Sequence, residues 1–226
     1  MKVPHFIFSS TAAVYGMPEQ LPVGEDAPTK PISPYGSSKP MTEIMLRDTG
    51  LAHALRYVAL RYFNVAGADP EGRSGQSTPR ATHLIKVAAE TALRMRPYLE
   101  VFGTDYPTPD GTCVRDYIHV TDLCRAHLAA LTYLRAGGES QVMNCGYGSG
   151  FSVLEVIEAV KRAGGQRFPG SRRAKTAGRP GGDRRPGGPV QDVLGWEPRY
   201  NDLDTIVDGA LAWEKRLIKD RTRAAS

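Results

Sequence analysis

Apolar runs alternate along the chain with segments of helical periodicity, the pattern of an α/β protein built on a largely parallel sheet. Val3 to Ser9 reads as a buried strand ending in small polar residues, and Leu55 to Phe63 as the next, leading into Asn64 and the turn-rich stretch Gly67 to Pro79. Between them, Ser33-Pro34 supplies an N-cap and a first-turn proline for a helix running to about Asp48 and stopped by Gly50. A helix is expected from about Thr82 to Met95, then a short strand over Leu99 to Phe102. An amphipathic helix over Thr121 to Leu134 and a strand over Val142 to Cys145 follow. Ser152 and Glu155 have capping-box spacing, which starts a helix at Val153 that ends near Gly164-Gly165, and a last helix spans Leu203 to Leu217.

At 226 residues, 41% hydrophobic and 23% charged, the chain can bury a core as one large domain or two small ones. Val3 to Phe8 is too short for a secretion signal and no stretch approaches a membrane span, so a cytoplasmic protein with no membrane partner is expected. Cys113, Cys124 and Cys145 have neither CxxC nor Cys/His spacing, which points to buried reduced thiols and no metal. The net charge of +5 raises the question of nucleic acid, but its distribution answers it. Seven cations between Arg167 and Arg185 against Asp183 alone give that segment +6 and leave −1 for the rest. The segment is rich in Gly and Pro, and Phe168 is its one aromatic residue, so a solvated loop is expected there and no nucleic-acid partner.

Candidate chemistry lies at the ends of the expected strands. Tyr35-Gly36-Ser37-Ser38-Lys39 sets a phenol and an ammonium four apart on one helix face. A phenol with an ordinary pKa of about 10 is a poor base at neutral pH, and a neighbouring cation stabilises its phenolate. Taken alone, this spacing also arises by coincidence on surface helices. Upstream, Ser9, Ser10 and Thr11 put consecutive hydroxyls at a strand end, where open α/β sheets bind ligands, although such hydroxyls also cap turns. Arg115 suits a diphosphate through its guanidinium fork, or equally an ion pair with Asp116 or another carboxylate. The glycine-rich turn between strand and helix that grips a dinucleotide pyrophosphate is not found in these 226 residues.

In their order, the blocks FSSTAAVYG (8–16), SPYGSSK (33–39), RYFNVAGA (61–68), VFGTDYPTPDGTCVRDYIHVTDL (101–123), NCGYGSGFSVLEVI (144–157) and LGWEPRY (194–200) resemble UDP-glucose 4-epimerases, of the extended short-chain dehydrogenase class. The resemblance implies a partial Rossmann-type parallel sheet with an interleaved smaller substrate-binding domain. Residues 1–70 would be the carboxy-terminal part of the NAD-binding domain, its glycine-rich half absent. Residues 71–226 would be mainly the UDP-sugar domain, with 115–145 returning to the first. The implied reaction is reversible inversion at C4 of a UDP-hexose with NAD as cofactor.

The resemblance makes Tyr35 the base, aided by Thr11, with Lys39 binding the nicotinamide ribose. Ser9, Ser10, Tyr62 and Phe63 match cofactor positions, and Asn64, His83, Leu84, Phe102 and Arg115 match UDP-sugar positions. Arg179 and Asp183 match uridine-site positions. Ala12 and Ala13 after Thr11 argue against dehydration, which needs an acidic pair there, and Thr11 in place of glutamate argues against decarboxylation. A homodimer is left open, as is an inactive remnant that binds UDP-sugar or a partner without turnover. Without the glycine-rich half, poor solubility, weak NAD retention and little or no activity are expected of the chain alone. His83 and Lys86 depart from the usual asparagine and proline, and residues 168–190, apart from Arg179 and Asp183, lose the family pattern, the Ala-Asp strand usual before Leu194 included. The expected cause of the last is a pair of compensating frameshifts. The family pattern should then reappear in another reading frame of the coding DNA.

Overall fold

The computed structural model describes residues 3–18, 20, 22–165, 170–173 and 189–224. Three parallel strands form the first sheet in the order β1 (His5–Thr11), β2 (Arg56–Tyr62), β6 (Gln141–Cys145). A second sheet orders β3 (Asn64–Ala66), β5 (Val114–His119) and β7 (Gly150–Ser152), with β3 parallel and β7 antiparallel to β5. β4 (Leu99–Phe102) pairs in parallel with β8 (Gly170–Arg173). The helices are α1 (Pro34–Ala52), α2 (Leu84–Ala92), α3 (Val120–Arg135), α4 (Val153–Gly164), α5 (Pro189–Leu194) and α6 (Leu203–Ala224). One apolar core runs from Val58 and Leu60 on β2 and Met143 on β6 to Val156 on α4 and Ile206 on α6. Each such fully buried side chain stabilises by about 1.5–3 kcal/mol relative to exposure. No described helix is long and apolar enough to cross a membrane.

The caps act as the sequence predicts. Ser33 Oγ accepts the Gly36 N–H at 3.0 Å ahead of α1, with Pro34 in the first turn. Ser152 and Glu155 make a reciprocal capping box, at 3.0 and 2.6 Å, and Gly165 closes α4 in the left-handed conformation. Other boundaries move. Gly50 lies inside α1, which continues to Ala52. The glycine serves a close approach instead of a stop, since a Cβ there would stand 3.1 Å from the Leu55 carbonyl. α2 starts at Leu84, after the extended His83, and ends at Ala92 because Arg94 turns left-handed at φ 60°. α6 runs past Leu217 to Ala224, through a polar stretch with no helix breaker. Cys124 is exposed on α3, while Cys113 and Cys145 are buried, so the expectation of buried thiols holds for two of three.

β5 escapes the hydrophobic pattern because Asp116 and His119 interrupt it, yet both are buried with partners. Asp116 accepts the Tyr147 and Gly148 N–H groups at 3.2 and 2.8 Å. A Cβ at Gly146 would fall 2.6 Å from that carboxylate and 2.9 Å from the Phe63 ring, so only glycine fits between them. Asp122 on α3 binds the far end of the chain: its carboxylate accepts from Tyr147 Oη and from the Arg199 and Tyr200 N–H groups. Its carbonyl takes the Trp196 indole N–H at 2.9 Å.

His119, 2% exposed, caps α3 by accepting the Thr121 N–H at Nδ1, 3.1 Å, and stacks on Tyr200. Burial holds its pKa below the ordinary histidine value, outweighing the pull of Asp122 and of a backbone hydrogen bond with Ala68. The native ring thus binds fewer protons than the unfolded chain. Its share of stability is present above about pH 6.5, the unfolded value, and is lost as pH falls through and below it. Urea unfolding at pH 7.5 and 5.5 is expected to show that loss in the wild type and less of it in His119→Asn, whose amide oxygen can still cap Thr121. Equal pH dependence in the two proteins would place the effect on another histidine.

Candidate active site

The residues singled out by sequence gather in two groups. The first lies at the carboxy ends of β1 and β2. Lys39, one turn beyond Tyr35 on α1, donates from Nζ to the Ser9 carbonyl at 3.0 Å and stands 5.1 and 5.4 Å from the Phe8 and Tyr35 ring centroids. Its ammonium is therefore fixed between strand end and phenol, with N–H donors to spare. Tyr35 itself is 50% exposed, open to a ligand. Thr11 Oγ1 accepts the Ala13 N–H at 3.2 Å, capping the short 3-10 turn over Ala12–Tyr15, so its turn-capping role is real and its hydroxyl proton is left over.

Strand alternation separates Ser9 from Ser10. Ser9 Oγ meets His127 Nε2 at 2.8 Å, whereas Ser10 is fully buried and gives its hydroxyl to Glu43 at 2.5 Å. Of Ser10, only the backbone can face the site. Tyr62, the last residue of β2, pairs with Thr11 in the sheet register. Burial raises its phenol pKa, the nearby Tyr35 raises it further, a Ser9 hydrogen bond offsets part, and Cys145 adds to the rise. Phe63 turns to the small cluster of Val14, Tyr15 and Val23.

Beneath these groups runs a buried network that sequence gave no sign of. Arg61 holds Glu43 with two hydrogen bonds, Nε to Oε1 at 3.0 Å and Nη2 to Oε2 at 2.6 Å, and reaches Tyr15 Oη at 2.9 Å. Tyr15 in turn donates to Asn144 at 2.7 Å. Burial alone would lower the Arg61 pKa, but its hydrogen bonds to Glu43 and Tyr15 win and raise it. β1, α1, β2 and β6 are thereby joined just below the strand ends that carry Ser9 and Tyr62.

The second group lines one cavity of about 1040 Å³ between β3, β4, β5, α2 and α6. Asn64, His83, Leu84, Phe102 and Arg115 all face it. Asn64 is held by its Nδ2 donating to the Asp116 carbonyl at 3.0 Å, and His83 Nδ1 meets Gln76 Nε2 at 2.7 Å. Trp213 and Glu214 of α6 complete the wall, unforeseen because they lie more than a hundred residues from the α2 residues they face. Lys86 and Glu214, 4% and 3% exposed at their side chains, form an ion pair in that wall, and Lys86 also stands 3.4 Å from the Glu90 carboxylate and donates to the Gln76 carbonyl at 3.3 Å. Arg179 and Asp183 lie outside the described residues.

The two groups adjoin along Tyr62-Phe63-Asn64. The first offers an anchored ammonium with unused donors, beside a half-exposed phenol and a strand-end hydroxyl. The second offers a cavity with cationic Arg80, Arg96 and Arg115 on its lining, suited to an anionic ligand.

Residues 1–146 match the NAD dependent epimerase/dehydratase family. The UDP-glucose 4-epimerase of Azospirillum brasilense is 57% identical over 93% of this chain and 61% of its own length. Among solved structures, the UDP-glucose 4-epimerase from Brucella ovis in complex with NAD superposes with a TM-score of 0.88 at 45% identity, over 92% of this chain and 64% of that one. The Bifidobacterium longum enzyme in complex with NAD+ and UDP gives 0.83 at 38%, over 95% and 64%. The chain thus spans less than two thirds of the length of these relatives.

Proposed function

The chain belongs to the NAD dependent epimerase/dehydratase family, and on that premise we propose that it carries the proton-transfer and sugar-nucleotide site of a UDP-glucose 4-epimerase, interconverting UDP-glucose and UDP-galactose with NAD. One observation carries this reading: Tyr62 pairs with Thr11 at the strand ends, where Lys39 ties the Ser9 carbonyl to the Tyr35 ring, and two residues on, Asn64 lines the cavity that also holds Arg115. Such a span suits a sugar nucleotide, whose reacting carbon and diphosphate belong to one molecule. The relatives' names favour turnover over a non-catalytic binder.

Tyr35 takes the proton of the C4 hydroxyl and returns it, Thr11 shares that proton, and the Lys39 ammonium steadies the phenolate. Lys39, Ser9, Tyr62, Phe63 and the Ser10 backbone are the groups that would hold NAD, which when bound accepts the C4 hydride and gives it back. Arg115 grips the diphosphate with its fork of N–H donors. Asn64, His83, Leu84 and Phe102 shape the sugar-nucleotide cavity, and Arg179 and Asp183 are assigned to the uridine. On this reading residues 1–70 with 115–145 form the NAD side and the rest of 71–226 the UDP-sugar side. The cytoplasm is the compartment proposed, in keeping with thiols that stay unpaired.

Calorimetric titration is expected to detect UDP binding, and Arg115→Ala to weaken it by about 10–100-fold, what a charge-assisted hydrogen bond is worth. Conversion of UDP-galactose by the purified chain supplied with NAD then separates turnover from binding alone. A chain that binds no UDP sinks the proposal.

A further inference from the structure

His83 stands at the N-cap position of α2, where a side chain that accepts hydrogen bonds usually caps the helix, and it caps nothing. Its Nδ1 is instead 2.7 Å from Gln76 Nε2. An amide nitrogen can only donate, so Nδ1 accepts, and in the neutral ring the proton sits on Nε2. That N–H has no hydrogen-bond partner among the described residues, and His83 is exposed where it lines the cavity. Gln76 in turn is fixed through its main chain. Its carbonyl accepts from the Trp213 indole N–H and from Lys86 Nζ, both at 3.3 Å. At the preceding Gly75 a Cβ would fall 2.5 Å from the Trp213 ring, so the chain is pressed against α6 there, and a bridge between Ala68 and Gly75 closes the loop at its base.

We infer that Gln76 is a positioning residue: its amide fixes the His83 tautomer, so that Nε2–H is offered as a donor to an oxygen of the sugar nucleotide. The inference rests on the reading of this cavity as the UDP-sugar site. A diphosphate oxygen is the strongest acceptor such a ligand carries, and a hydrogen bond to it is charge-assisted. In the other tautomer Nε2 would hold a lone pair, and two acceptors cannot bond one another. The imidazole does not settle this by itself, since either ring nitrogen can carry the proton. Gln76 settles it, because Trp213 and Lys86 take its carbonyl and leave its amide to the ring. A bond that merely fastened residue 76 to residue 83 would do so whichever partner donated. The direction of donation matters only to what meets Nε2.

The test is Gln76→Glu, nearly the same in shape but only an acceptor once ionised, studied at about pH 8.5, where histidine is neutral. Nitrogen NMR of the full chain without ligand reads which ring nitrogen carries the proton, the His83 signals being assigned with His83→Ala. The wild type is expected to carry it on Nε2 and Gln76→Glu on Nδ1. Calorimetric titration should then show UDP binding to Gln76→Glu about 10–100-fold more weakly, what a hydrogen bond to a charged group is worth. In a His83→Ala background the glutamate brings the same charge but has no ring to turn, and UDP affinity should respond far less. Should the glutamate variant not fold, Gln76→Met removes the amide without adding charge, and a mixture of tautomers with a smaller loss of affinity is expected. The Trp213 indole N–H signal is the control for an intact loop, since its bond goes to the main chain at residue 76. A proton that stays wholly on Nε2 in these variants, or a UDP response as large without His83 as with it, overturns the inference. A wild-type chain that binds no UDP overturns the proposed reaction and this inference together, whereas one that binds UDP equally with and without the amide overturns this inference alone.

Discussion

Tyr35→Phe is expected to lower conversion of UDP-galactose to UDP-glucose by about 10²–10⁴-fold, the usual contribution of a positioned acid-base group, while UDP affinity stays within about twofold. The ring stays and only the hydroxyl leaves, so the helix start capped by Ser33 is undisturbed. The loss should appear in kcat at saturating UDP-galactose and NAD, because the missing interaction belongs to proton transfer and not to binding. Lys39→Met should impair the same step while leaving Tyr35 in place, since it removes the ammonium that lies 5.4 Å from the phenol ring and is tied to Ser9. A Tyr35→Phe chain that kept full turnover would move the proton to another hydroxyl, with Thr11 and Tyr62, paired at the strand ends, as the candidates.

Glu43→Ala is expected to cost about 3–5 kcal/mol, because it leaves the Arg61 guanidinium charged and buried with its two-pronged partner gone. In a chain of this size that corresponds to a fall in Tm of about 10 °C. Ser10 loses its acceptor at the same time. Replacing both charges, with Glu43→Leu and Arg61→Met, should recover part of the loss, since apolar pairs of similar volume often match a buried ion pair. The Ser10 hydroxyl would still need an acceptor, and Tyr15 Oη, which keeps Asn144, would lose the donor it has in Arg61. Thermal scans of the single and double variants check this, and a single variant within about 0.5 kcal/mol of wild type, as at an ordinary surface position, would show that the pair does not hold the sheet to α1.

How much of this could be read from the residues alone varies with the range of the interaction. Caps are local, so Ser33-Pro34 and the Ser152–Glu155 box fixed two helix starts correctly. The paired spacing of Tyr35 and Lys39 is local too, and both side chains do face the end of β1. β5 was hidden because its buried polar residues are satisfied by partners up to 32 positions away, Asp116 by Tyr147 and Gly148. Glu43 and Arg61 carry no short-range mark of their union, and neither do His127 and Ser9, 118 residues apart. The cavity wall of Trp213 and Glu214 was out of reach for the same reason.

The ion pair between Lys86 on α2 and Glu214 on α6 also determines how the cavity can change its width. Sliding α6 by one helical turn, about 5.4 Å, would bring position 210 or 218 to face Lys86, and these are Ala210 and Ile218. Either would set the Lys86 ammonium against an apolar side chain with Glu90, 3.4 Å away on α2, as its remaining carboxylate, and would leave the buried Glu214 carboxylate with no cation. Intermediate positions are no better, since both partners are sheathed from water. The two helices therefore behave as a ratchet with a single tooth engaged. A ligand meets an opening of one gauge and must fit it or release the catch altogether, which favours all-or-none rearrangement of this wall over gradual breathing.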